Sequence, residues 1–216
     1  DEARCGTLKA ATWNVAAINN NPFEYWISYD NAAYHSMMEA IQNIIIQPGQ
    51  YDVAVSDVFT DAMFGELKQR MIAQGWEHVD AVEEQWTSNY RTRKIVSEFL
   101  KDKMLGKKRL ASMPDRTTNT IRSESGTVYR PSVINCFNAT LPTVADWWRH
   151  WEQFMFHSTV TLQGQETPVA DLLVPIKKSK YPAISAEEET ISIPLQTLCA
   201  AIFDSILVHL LNTVVR

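Results

Sequence analysis

The chain has 216 residues, of which 45% are hydrophobic and 21% charged, with a formal net charge of −5. That size and balance suit a globular protein with enough chain to bury a real core. Its three cysteines are odd in number and far apart, with no C-x-x-C pair, so neither a zinc knuckle nor a disulfide framework is supported and free buried thiols are expected. The chain starts at Asp1 without a Met or an apolar leader, which reads as a processed precursor or a trimmed chain.

The first organised stretch, Thr7–Trp26, reads TLKAATWNVAAINNNPFEYW. Leu8 to Ala16 is short, apolar and bounded by Gly6 and by Asn19-Asn20-Asn21-Pro22, the signature of a buried strand ending in a loop. Asn14 sits inside it beside Trp13, and an amide buried without partners costs roughly 1–3 kcal/mol. On its own terms Asn14 closes the strand end by bonding neighbouring backbone.

A second reading comes from resemblance. ATWNVAAINN resembles the opening strand of the endonuclease/exonuclease/phosphatase superfamily, Mg2+-dependent phosphodiesterases built on a two-sheet α/β sandwich. The likeness implies that Asn14 belongs to a metal and phosphate site and that the chain is a fragment or remnant of such a sandwich. The longer string through INNNPFEYW is similar to uncharacterised algal proteins of that type, which implies an organelle, a plastid first, with the cytoplasm as the alternative. The family also needs a Gln-Glu strand, a Gly-Asp-x-Asn loop and a Ser-Asp-His ending, and none of these strings occurs here. The nearest stand-in is YDVAVSDVF, Tyr51–Phe59, with Asp57 where the metal-binding Glu would stand and Ser56 in place of the Gln.

Further along, Asp30 is expected to cap a helix through Ile46, with Tyr34, Met37, Met38, Ile41, Ile44 and Ile45 at helical spacing and Pro48-Gly49 as its stop. His35 falls on its polar side. A second helix starts near Ser56 or Thr60 and runs through Met63, Leu67 and Met71 to Gly75. In that setting Asp57 is a carboxylate favoured at a helix start rather than a metal ligand. Trp76–Tyr90 reads as irregular, and Arg91–Leu105 as a further helix.

Residues 91–130 carry eleven Lys and Arg against four acids, while the rest of the chain carries nine bases and 21 acids. A basic band on an acidic protein is a clue to partners. Within it, Lys107–Arg130 reads as a turn-rich loop in which Lys107, Lys108, Arg109, Arg116 and Arg122 form one surface for an anion or a partner. Two plainer readings stand beside it: the loop's polar residues build its own turns, or its bases neutralise the chain's own acids at Glu187–Glu189.

Pro142-Thr143, with Asp146 three residues after Thr143, opens a helix crowded with Trp147, Trp148 and Trp151, which read as core or as an interface. His150 and His157 have no third ligand at metal spacing and read as structural. Ser158–Pro182 is loop-rich and holds a basic knot at Lys177, Lys178 and Lys180. From Pro194 a helix runs to about Val215, apolar nearly all round but interrupted by Gln196, Asp204, His209 and Asn212. Those polar residues argue for a buried helix, covered by this chain or by another domain, rather than a membrane span.

The sum is a mostly α chain with a few short strands, read as one domain over 1–216 with a basic helix-plus-loop segment at 91–130 and an apolar helix at 193–215. Its expected role is a non-catalytic interaction subunit docking with other protein subunits of a larger assembly, with no cofactor. The alternatives are a Mg2+-dependent phosphodiesterase using Asn14 and Asp57, and anion or nucleic-acid binding through residues 91–130.

Overall fold

A computed structural model describes residues 21–23 and 29–215. The expected strand around Asn14 lies outside the described residues.

The organising element is the last described helix, α8 (Ser192–Val215), whose mean composition is so apolar that every side of it can be covered. By length and composition it could cross a bilayer, yet most of it is buried inside this chain. Around it pack α1 (Ala32–Ile46), α2 (Asp61–Ala73), α3 (Val79–Gln85), α5 (Ser112–Thr118), α6 (Val144–His157) and α7 (Ala186–Thr190). Most of the polar groups inside α8 find partners, the Gln196 Oε1 oxygen being the exception among the described residues. The Thr197 hydroxyl donates to the Ile193 carbonyl at 2.8 Å and Ser205 to Ile202 at 2.7 Å, while Gln196 Nε2 donates to the Val174 carbonyl at 3.0 Å. Asp204 pairs with Arg130, itself buried. One continuous core therefore runs from Phe23 to Leu210.

Capping chemistry fixes most helix starts. Asn31, not Asp30, caps α1 and accepts from the Tyr34 amide at 3.1 Å. Thr60 caps α2, and Thr143 caps α6 by accepting from the Asp146 amide at 3.0 Å, as the Thr-x-x-Asp spacing predicts. In α6 the aromatic face turns wholly inward. Trp147, Trp148 and Trp151 are 0%, 4% and 0% exposed, so the reading of these three as an interface is corrected to core. Trp148 stacks on Trp151 at 5.6 Å and meets Phe59 edge-on at 5.4 Å, contacts each worth about 0.5–1.5 kcal/mol beyond area burial.

The segments between differ from the sequence reading. Most of Trp76–Tyr90 is helical rather than irregular: α3 starts at Val79 and runs directly into a π-helical turn at Trp86–Tyr90. Arg91–Leu105 is no continuous helix; a second π-helical turn, Ile95–Leu100, breaks before α4 (Lys103–Lys108). Asp52 explains where the second π-helical turn begins, since its carboxylate accepts from the Val96 amide at 2.8 Å and so starts a new turn there. The stretch expected as a loop at Lys107–Arg130 contains α5 and a hairpin of β1 (Thr120–Ser123) and β2 (Gly126–Tyr129). Four-residue strands are too short for a periodicity to be read against turn-rich neighbours.

A second hairpin, β3 (Thr159–Leu162) with β4 (Gln165–Pro168), turns on Gln163-Gly164, both at positive φ (53° and 76°), the two-residue turn that suits twisted strands. Glu124 links the hairpins: its amide donates to the Thr161 carbonyl at 3.0 Å and its carboxylate accepts from the Gly164 amide at 2.7 Å. Each sheet has two antiparallel strands, so the described residues do not build the two-sheet α/β sandwich that the resemblance implies.

Candidate anion-binding groove

The neighbouring α4 and start of α5, together with the turn at 180–183 much later in the chain, wall an open groove of about 850 Å³, with Phe203 of α8 also in its lining. Asp102 sets α4 in place. It accepts from the Met104 amide at 2.7 Å as the helix cap and from Arg93 Nη1 at 2.7 Å, which ties the helix to the link between the two π-helical turns. Arg109 ends the helix in the left-handed region at φ 63°, and Leu105 and Leu110 plug the same element into the core. Across the groove, the Lys180 and Tyr181 amides both donate to the Lys177 carbonyl, at 3.0 and 2.9 Å, which curls the basic knot into a tight turn. The Lys180 ammonium lies 5.7 Å from the centre of the Tyr181 ring. Beyond Lys180 and Tyr181 a smaller hollow of about 340 Å³ continues the surface, lined by Arg116, Thr117, Val174 and Lys177.

The electrostatics are one-sided. Lys103, Lys107, Arg109 and Lys180 rim the larger groove, and the one acid in its wall, Asp102, is committed to Arg93. Among the described residues Lys103, Lys107, Arg109 and Arg116 form no ion pair. Cations with no counter-charge among the described residues raise the local concentration of anions around them.

Of the five bases expected to form one surface, the structure places two in the larger groove and a third in the adjoining hollow. Lys107 and Arg109 line the larger groove and Arg116 the smaller. Lys108 turns to the opposite side, where its ammonium donates to Glu188 at 2.6 Å; it neutralises the chain's own acids, as the plainer reading had it. Arg122 is exposed on β1 and lines neither hollow, because its neighbour Ile121 takes the inward position of the strand. Lys103, Lys180 and Tyr181 were not among the expected site residues. The basic knot was visible in the sequence, but nothing there places it against α4.

The metal reading fares differently. Asp57 is exposed, and its carboxylate accepts from the Ala54 amide at 3.0 Å within a short 3-10 turn. That corrects Asp57 from metal ligand to turn-closing carboxylate. Among the described residues no group of three or more His, Cys, Asp or Glu is placed to hold a metal ion, so these residues do not fit a Mg2+ site. Asn14 lies outside the described residues. His157 meets Glu152 at 3.2 Å and His150 lies edge-on to Phe137 at 5.7 Å, both in structural roles.

Comparison with known proteins adds one finding. Residues 52–216, about three quarters of the chain, match the model of the Domain of unknown function (DUF8234) family. The chain belongs to that family. The matched region spans α2 to α8 and so contains the whole groove, while α1 and the stretch resembling the phosphodiesterase superfamily precede it. No curated protein and no solved structure matches the chain significantly.

Proposed function

We propose that this chain is a non-catalytic docking subunit that receives an anionic partner in the groove between α4, α5 and the turn at 180–183. One observation carries the reading: Lys103, Lys107 and Arg109 crowd one rim of a large open groove with no ion pair among the described residues, on a chain that is acidic overall. A partner's carboxylates or phosphates supply the missing counter-charge, and association of this kind weakens steeply as salt rises.

The test is fluorescence anisotropy with three labelled polyanions (polyglutamate, heparin and single-stranded RNA) at low and high salt. Saturable binding of at least one, lost on replacing Lys107, Arg109 and Lys180 with Ser and on raising the salt, is expected. Absence of saturable binding for all three at low salt overturns the proposal. Melting curves of the triple variant separate lost binding from lost folding, and substitutions of exposed bases shift stability by less than about 1 kcal/mol.

A further inference from the structure

The groove has a rim of one chemistry and a floor of another. Below the four cations the wall is carbon: Leu100, Ala111, Tyr181, Pro182 and Phe203 contribute the apolar surface. A site that needed only to hold phosphates would have no use for such a floor. Single-stranded nucleic acid is bound through a basic track set with several flat aromatic faces on which successive bases stack. Here Tyr181 is the ring on the groove wall beside the basic rim, and an ammonium already stands over it. The other two rings lie low, with Phe99 2% exposed and Phe203 half-buried at the base. The basic band is also local, and the remainder of the chain, with nine bases against 21 acids, repels a long polyanion that leaves the groove.

We infer that the occupant is a short acidic peptide segment of a partner protein, in which apolar side chains alternate with carboxylates, the former seated on the Phe203–Tyr181 floor and the latter paired with Lys103, Lys107, Arg109 and Lys180. This rests on the docking reading above and narrows it to one class of partner. The two halves of such a segment match the two halves of the groove: rim charges give long-range attraction and register, and burial of apolar side chains gives residence.

Gly106 offers a probe that leaves every charge in place. It lines the groove from within α4, and a Cβ built there meets no atom within 4 Å. Its backbone is helical, so Gly106→Leu improves helix propensity while placing a side chain over the floor. The experiment measures binding to the full chain of three labelled probes: a peptide alternating Glu with Leu and Phe, its counterpart with Ser in place of Leu and Phe, and single-stranded RNA of equal charge. The expected order puts the Glu-Leu/Phe peptide at least about tenfold tighter than the Glu-Ser peptide. Gly106→Leu is expected to remove that advantage while leaving the weak Glu-Ser binding unchanged and the melting temperature no lower than that of the unaltered chain. Equal affinity for the two peptides, or tighter binding of RNA that ignores Gly106→Leu, overturns the peptide inference and leaves the anionic docking reading standing. No binding of any probe overturns both. The peptide comparison on the unaltered chain decides the matter even if Gly106→Leu fails to fold.

Discussion

Arg130 and Asp204 stand 74 positions apart in sequence and meet in the core as a two-pronged pair, Arg130 Nε donating to Asp204 Oδ2 at 2.7 Å and Nη2 to Oδ1 at 3.3 Å. Nη1 donates to Thr118 Oγ1 at 2.9 Å and to the Pro114 carbonyl at 3.4 Å, and Nη2 also reaches Asp115 at 3.0 Å. All five N–H groups of the guanidinium thus have acceptors, and Trp151 Nε1 donates to Asp204 as well, at 3.0 Å. The pair pins α5 and the start of the 131–143 connection to the middle of α8.

Breaking that pair from one side leaves a carboxylate buried alone. Arg130→Met is therefore expected to cost about 3–5 kcal/mol. The double change Arg130→Met with Asp204→Leu removes both charges, and it should recover a large share of the loss. Urea unfolding of the single and double variants measures this; equal destabilisation of the two shows that packing, not the stranded charge, sets the cost.

The middle of α8 makes a second demand. Leu207 is 0% exposed, so a carboxylate placed there is cut off from water. Leu207→Asp should unfold or aggregate the chain, seen as loss of the cooperative thermal transition. A soluble variant with an unchanged melting temperature would show that α8 is not held as described.

Acid should loosen the groove before it unfolds the core. Burial works to raise the Asp102 carboxyl, but Arg93 and the amides of Met104 and Leu105 outweigh it and hold the group below the usual carboxylate value. A carboxyl lowered in the native state stabilises it fully above the unfolded value of 3.8, and that contribution drains away as pH falls through the lower native value. Asp146 and Glu187 are held low too, by Thr143 and by local amide bonding, so the informative quantity is a difference. The stability gap between wild type and Asp102→Asn is expected to be constant above pH 5 or so and to close on acidification. At neutral pH Asp102→Ala should cost about 1 kcal/mol, the worth of a helix cap.

The two described cysteines should behave as opposites toward an alkylating agent. Cys136 is exposed, against the expectation of buried thiols, because it lies on the irregular connection after β2, whereas Cys199 is 0% exposed and burial pushes its thiol up to about 12. Peptide mapping after brief iodoacetamide treatment should find Cys136 modified and Cys199 intact until denaturant is added. The same thiol sets an alkaline limit. Its native value lies above the unfolded 9.0, so its contribution is whole below 9.0 and is lost as pH rises toward 12. Cys199→Ala should flatten that part of the stability curve.

The long helices could be read from residues because their signals are dense. α1, α2, α6 and α8 each show an apolar stripe or an apolar surround, and Thr143-x-x-Asp146 marks the start of α6 at Val144. The pieces that failed are short and held by distant partners. Asp52 starts the turn at Ile95 from more than forty residues away, and the two hairpins are fastened to each other through Glu124. The groove was half legible. Lys107, Arg109 and Arg116 stood out as a run of charge, but sequence order cannot say which bases meet an acid. Lys108, adjacent to Lys107, is spent on Glu188, while Lys180, far from either, completes the rim. The tryptophans of α6 were visible as a cluster, and only packing could decide that they face inward.

Because the helix at the centre is also the last one described, the order of synthesis runs against the order of packing. The ribosome releases α1 well before α8, and roughly 160 residues at about 5–20 residues per second mean on the order of ten seconds between them. During that interval the apolar side chains of Ile41, Ile44 and Ile45 have no α8 to cover them, and Arg130 has no Asp204. A nascent chain halted before Ser192 therefore presents sticky, uncommitted surface to the cell and should be held by chaperones, with protease resistance arriving late and all at once when α8 emerges.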